Sequence, residues 1–193
     1  MSAAIVTIGL AFAGYLVTYL NGLRLAQRQE RLARVNRQLS EFYGPLLALV
    51  EINNRVYRAF AERHPRPDGR SPMDHGPEEL PPTDEELAEW RLWIAKVFLP
   101  NHRAMRDILV NKADLLSEPH MPPILMEVYA HASWHEIAVT RWEQGDLAVE
   151  RPPSPFPMTE IRRYVRESFD RLKREQAALL GRRRNRVARM IFR

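Results

Sequence analysis

Glu127, His131 and His135 recur at every fourth position. Residues four apart share one face of an α-helix. Two imidazoles with a carboxylate one turn away can hold a divalent metal ion, because neutral imidazole nitrogen and carboxylate oxygen are both zinc ligands. The same rings, titrating near neutrality, would suit a proton sensor. Two features of the pattern oppose these uses. In zinc peptidases of the HExxH type a Glu follows the first His, and Ala132 stands there in this chain. On a helical wheel His135 also falls within the stripe of Ile124, Val128, Ala132, Val139 and Trp142, with His131 at its edge, so both rings belong to a core face. A bound ion would need further inward ligands from other helices, for which Glu51, Asn53, His102 and Asp107 are the nominees.

Other chemistries find less support. The chain has no Cys, which excludes disulfides, thiolate metal sites and a cysteine nucleophile. No Gly-rich phosphate loop, nucleophile elbow or dinucleotide fingerprint is present. Trp90, Trp93, Trp134 and Trp142 sit at helical spacing among aliphatic residues and read as packing side chains. No catalytic residue is therefore assigned, and a divalent metal at Glu127, His131 and His135 is the one cofactor the sequence suggests.

The elements that must position these residues are all helical. Apolar residues recur at Leu25, Leu32, Val35, Leu39, Phe42, Leu46, Leu49, Val56 and Phe60 in a heptad-like seam, with Asn53 as a polar seam residue and Gly44-Pro45 expected to bend or break the helix. Residues 64–82 combine Pro, Gly and charge and read as a mobile loop. Thr83 and Glu86 form a capping box that opens a second helix, expected to kink at Pro100 and to end near Glu118. Pro122-Pro123 seed a third helix, which Gly145-Asp146 stop after Glu143, and Thr159 is positioned to cap a fourth. Nothing reads as a strand. The expected fold is all-α: an N-terminal transmembrane helix continuing into a cytosolic up-down four-helix bundle with a Pro-kinked second helix.

An uncharged run from Ser2 to Leu23 precedes Arg24, Arg28, Arg31, Arg34 and Arg37. At a rise of about 1.5 Å per residue, roughly 20 apolar residues cross a hydrocarbon core about 30 Å thick. Residues 1–23 thus read as a transmembrane anchor, with residues 24–181 as the bundle and 182–193 as a basic amphipathic tail. A cleavable signal peptide would carry a basic region before the apolar run, and none is present. The arginines follow the span, so the N-terminus should face outward and the domain the cytoplasm of a plasma or inner membrane. Counting helix directions brings the C-terminus back to the bilayer. There Arg182, Arg183, Arg184, Arg186 and Arg189 alternate with apolar residues in a pattern suited to anionic phospholipid, alongside Arg24 and Arg28. No nucleic-acid recognition module accompanies this cluster.

The stretches RVNRQLSEFYGPLLALVE (34–51), EWRLWIAKVFLPNHRAM (89–105), NKADL (111–115), AHASWHEIAVTRWEQGDL (130–147) and PFP (155–157) resemble a family of bacterial membrane-anchored helical proteins with no assigned activity. In that pattern the position of His131 is typically His and that of His135 often is not, which the resemblance turns against a paired metal site. The expectation is a membrane-tethered scaffold acting on an unidentified protein partner or on further copies of itself. The alternative is a metal or proton site at His131 and His135.

Overall fold

A computed structural model describes residues 2–66, 71, 73, 81–148 and 156–181, with side chains from Ile8 onward. The basic tail expected over 182–193, with Arg182, Arg183, Arg184, Arg186 and Arg189, and most of the loop expected over 64–82 lie outside the described residues. Helix is the only regular secondary structure among those described. The elements are α1 (Ser2–Arg37), α2 (Gly44–Arg63), α3 (Asp84–Trp93), α4 (Leu99–Asn111), α5 (Pro123–Glu143) and α6 (Met158–Leu179).

The two expected helix interruptions are absorbed without loss of helix. A π-helical turn, Gln38–Tyr43, precedes Gly44-Pro45, and a second, Ile94–Phe98, precedes Leu99-Pro100. Proline inside an α-helix clashes with the carbonyl four residues back and offers it no N–H. In a π turn an N–H bonds the carbonyl five residues back, as the Leu99 N–H does to Ile94 O just ahead of Pro100. Pro45 and Pro100 then stand in the first turn of a new α segment, where no N–H is required. The helical state therefore runs unbroken from Ser2 to Arg63 and from Asp84 to Asn111. Gly44 is part of this device. A Cβ there would collide with the Leu39 carbonyl oxygen, which the π turn brings against it.

Other boundaries follow from caps. Thr83 accepts from the Glu86 N–H at 3.2 Å while the Glu86 carboxylate accepts from the Thr83 N–H at 2.7 Å, so the capping box forms as expected. α4 ends at Asn111 and not near Glu118; a 3-10 turn, Ala113–Leu115, follows and buries Leu115. α5 closes at Gly145, whose φ of 85° suits a residue without a side chain. α6 begins at Met158, ahead of Thr159, because the Pro157 carbonyl already accepts the first helical N–H, that of Ile161 at 3.0 Å.

The chain divides into two compact units. The first comprises Met1–Arg37 and Arg171–Arg193. In it α1 and the end of α6 run antiparallel: the Gln176 amide donates to Asn36 at 2.7 Å, Arg31 pairs with Glu175 at 2.6 Å, and Arg28 donates to the last helical carbonyl, Leu179 O, at 2.8 Å. The second unit, Gln38–Asp170, holds the core. Phe60, Met73, Leu87, Trp90, Ile94 and Phe98 form one buried cluster, against which Tyr57, Trp93 and Trp142 pack. Phe42, Leu46, Val50, Met105, Leu125, Val128, Ile161 and Val165 are also fully or almost fully buried.

Candidate functional site

His131 and His135 lie on the inward face of α5, as the wheel requires, and are 3% and 4% exposed. Pro123 starts this helix and the apolar stripe of Leu125, Val128, Ala132 and Ala138 turns the two histidines inward with it. α4 brings His102, 2% exposed, against them. The His102 and His135 Nδ1 atoms are 3.0 Å apart. Their ring centroids are 5.0 Å apart and their planes 8° apart, so the imidazoles meet edge to edge. One ring must donate its Nδ1–H and the other accept on a bare Nδ1, which gives the pair opposite tautomers. His131 Nδ1 lies 3.0 Å from the Glu127 carbonyl oxygen, which can only accept, so His131 carries its hydrogen on Nδ1. Phe156 completes the cluster, stacked on His102 at 4.7 Å and edge-on to His131 at 5.1 Å. Trp134 meets His135 edge-on from its own helix at 5.3 Å.

Burial governs the charge of this cluster. It pushes the His135 imidazole down to about 3, with His131 adding repulsion. It pushes His102 well below the ordinary histidine range, with repulsion from His135 and His131 adding to the effect. Both rings are therefore neutral at physiological pH, and their shared hydrogen bond satisfies a donor and an acceptor that would otherwise be stranded in the core. Neutral imidazoles are the metal-binding form. Nevertheless, among the described residues no group of three His, Asp or Glu side chains is arranged to hold an ion. Glu127 contributes its backbone carbonyl, and its side chain is exposed.

The other nominated residues separate. Asn53 is fully buried in α2, accepting from the Asn101 amide at 2.7 Å and donating weakly to Met105 Sδ at 3.7 Å. Glu51 is held by Arg162 at 2.8 Å and by Arg166, whose hydrogen bonds keep its carboxyl down at about 2. Asp107 is exposed beside Arg106. Only His102 joins the histidines. Phe156 carried no periodic signal, since it stands between prolines. A second polar cluster also escaped the sequence: Tyr164 and Tyr43 both donate to Glu118 Oε2, at 2.9 and 3.2 Å, and burial pushes the Tyr164 phenol far up. These bonds fasten the segment after α4 to α6 and to the first π turn.

At the N-terminal end the side chains face outward. Ile8, Leu10, Phe12 and Tyr15 are 67–70% exposed, and none of the apolar window in this helix is buried. The helix is long and apolar enough to cross a membrane. Arg24 is exposed directly after the uncharged run ends at Leu23, and Arg28 donates to the Leu179 carbonyl at the end of α6. No family model matches the sequence, and no curated protein or solved structure shows significant similarity to it.

Proposed function

We propose that the protein is a membrane-tethered helical module that works in the cytoplasm by contact with another protein. Residues 1–23 serve as its single span, with the N-terminus outside, and the following helices pack up and down as a bundle. The carrying observation is the bare apolar circumference of α1. A helix hydrophobic on every side belongs inside a protein core or a bilayer. Each square ångström of apolar surface left in water costs roughly 25 cal/mol, and among the described residues none of the apolar window of α1 is buried. The arginines on one flank only support the orientation. The burial of His102, His131 and His135 supports contact over acid-base catalysis, because none of them faces solvent.

Fractionation tests the tether. Full-length protein should stay with membranes through high-salt washing, and a variant lacking residues 1–23 should become soluble or bind only in low salt. A full-length chain recovered as a lipid-free monomer would overturn the reading. Because the chain has no Cys, Ser2→Cys and Ala113→Cys report orientation cleanly: an impermeant maleimide should label only Ser2→Cys in intact cells. The detergent-purified protein should carry a partner in fixed ratio. Stoichiometric zinc, iron or manganese that disappears in His131→Ala would instead favour a metal centre.

A further inference from the structure

We infer that the outer face of α5 pairs in parallel with the same face of a second copy of the chain; this rests on the tether reading and adds a self-contact to it. One side of α5 turns its apolar residues and histidines into the core, yet Met126, Tyr129 and Ile137 are large apolar residues left exposed on the other. Met126, Ala130, Ser133, Ile137 and Thr140 stand alternately four and three places apart, which is the spacing of a seam between two supercoiled helices. Ser133 is half-buried and the other four are exposed. Both hydroxyls on this seam are satisfied within their own helix: Ser133 donates to Tyr129 O at 3.0 Å and Thr140 to Glu136 O at 2.8 Å. Covering the seam therefore strands no hydroxyl donor, and it acts as an apolar strip.

The flanks of the seam select the occupant. In parallel helices in register, a residue on one flank meets, on the facing flank of its partner, the residue five places further along. Five places from Glu136 is Arg141, and five from Tyr129 is Trp134. The face is thus complementary to itself: a twofold axis along the seam sets each Glu136 against the second copy's Arg141 and each Tyr129 against the second copy's Trp134. Arg141 is exposed, with no carboxylate partner among the described residues. Glu136 takes Arg103 and Arg106 on Oε1, at 2.8 and 2.9 Å, which leaves Oε2 to accept another guanidinium. Asp107, 3.6 Å from Arg106, brings Arg103, Arg106, Asp107 and Glu136 to zero net charge, so an incoming arginine meets no excess of positive charge. Rotation about an axis along α5 leaves the two N-terminal anchors at one level along that axis, as a shared bilayer requires; an antiparallel pair, which would set Glu127 against Arg141, inverts one copy along α5. At 21 residues the helix is about 32 Å long and about 10 Å wide, so one face covers roughly 300 Å², below the about 800 Å² that each partner of a stable dimer contributes. Such a contact is weak between molecules free in solution, and confinement to one bilayer supplies the raised effective concentration it needs.

Because the chain has no Cys, single cysteines report the contact. Full-length protein carrying Met126→Cys, Ser133→Cys or Ile137→Cys is reconstituted in phosphatidylcholine vesicles at high lipid excess and oxidised, a disulfide forming only where the two Cα atoms lie within about 7 Å. All three should give dimers, and Val110→Cys, exposed on α4, should not. Arg141→Glu in the Ile137→Cys background should weaken association roughly fivefold, because the twofold axis removes two pairs at once. Ile137→Arg in the Ser133→Cys background should abolish the dimer and leave the unfolding midpoint at the parent value, since that side chain is exposed. Dimers at Ser133→Cys alone would mark an antiparallel pair and overturn the parallel register. Equal yield from Val110→Cys would reduce the dimers to chance collision and overturn the contact. No dimer from any of the three, in protein that floats with the vesicles, would overturn the self-contact and leave the tether intact, whereas failure to float would overturn the tether. In native membranes, disulfides from these positions to a protein of different mass in place of the dimer would assign the face to that protein.

Discussion

His102 and His135 fold as uncharged rings, yet each takes up a proton near pH 6.5 once exposed to water. Below that pH the unfolded chain holds more protons than the folded one, so stability falls as pH falls. The loss approaches 1.4 kcal/mol per pH unit for each ring, by about that constant of linkage, and continues for His135 toward its folded value of about 3. Chemical unfolding of the detergent-solubilised chain should therefore show a midpoint that declines steadily from pH 7 to pH 5. The double variant His102→Gln, His135→Gln should start lower and show a flatter decline; an unchanged slope would remove the histidine pair as its cause. Glu51 does not contribute in this window, since its stabilisation by Arg162 and Arg166 is present above the ordinary carboxylate value of 4.5 and is lost only as pH falls toward 2. The inward placement of His131 and His135 was legible from periodicity, because four-residue spacing decides which face of one helix a side chain occupies. Their pairing with His102 was not, because it depends on the rotational register of α4 against α5, and no spacing within one helix encodes that.

The π turns set that register at the scale of the element. Each inserts one residue per turn ahead of a proline, and the second turn, Ile94–Phe98, rotates everything after it, His102 included. Sequence located both prolines and expected a bend, a break or a kink. The structure shows no break at either proline but a widened hydrogen-bonding turn before it, in which the Leu99 N–H reaches Ile94 O. Gly44 carries the sharper consequence. With the Leu39 carbonyl against its Cα, a methyl group must displace backbone and not a flexible side chain. Gly44→Ala should lower the unfolding free energy by about 1–3 kcal/mol. Gly22→Ala, with open space around it, should be neutral or stabilise by up to about 1 kcal/mol through helix propensity. Urea titration of the two variants side by side measures the contrast, and equal effects would mean that helix propensity alone governs Gly44.

For the molecule as a whole, the alternative to a tether is an apolar helix that some other part of the protein covers. Charge introduced at the middle of the run separates the two. An arginine at the centre of a transmembrane helix costs about 2.5–3.5 kcal/mol of insertion, and a run of barely sufficient length cannot slide to place it at the interface. Phe12 stands near that centre with 67% of its surface exposed, so its side chain contributes little to holding the rest of the chain together. Phe12→Arg should therefore shift protein out of the salt-resistant membrane fraction while the unfolding midpoint of the remaining domain stays at the parent value. Leu25→Arg, equally exposed in kind but beyond the apolar run, should alter neither. A core helix would give the reverse pattern: Phe12→Arg would lower the unfolding midpoint and helical content and leave the distribution between membrane and soluble fractions unchanged. The two readouts are independent, so a membrane fraction that withstands Phe12→Arg rejects the span even if every other property of the protein is retained.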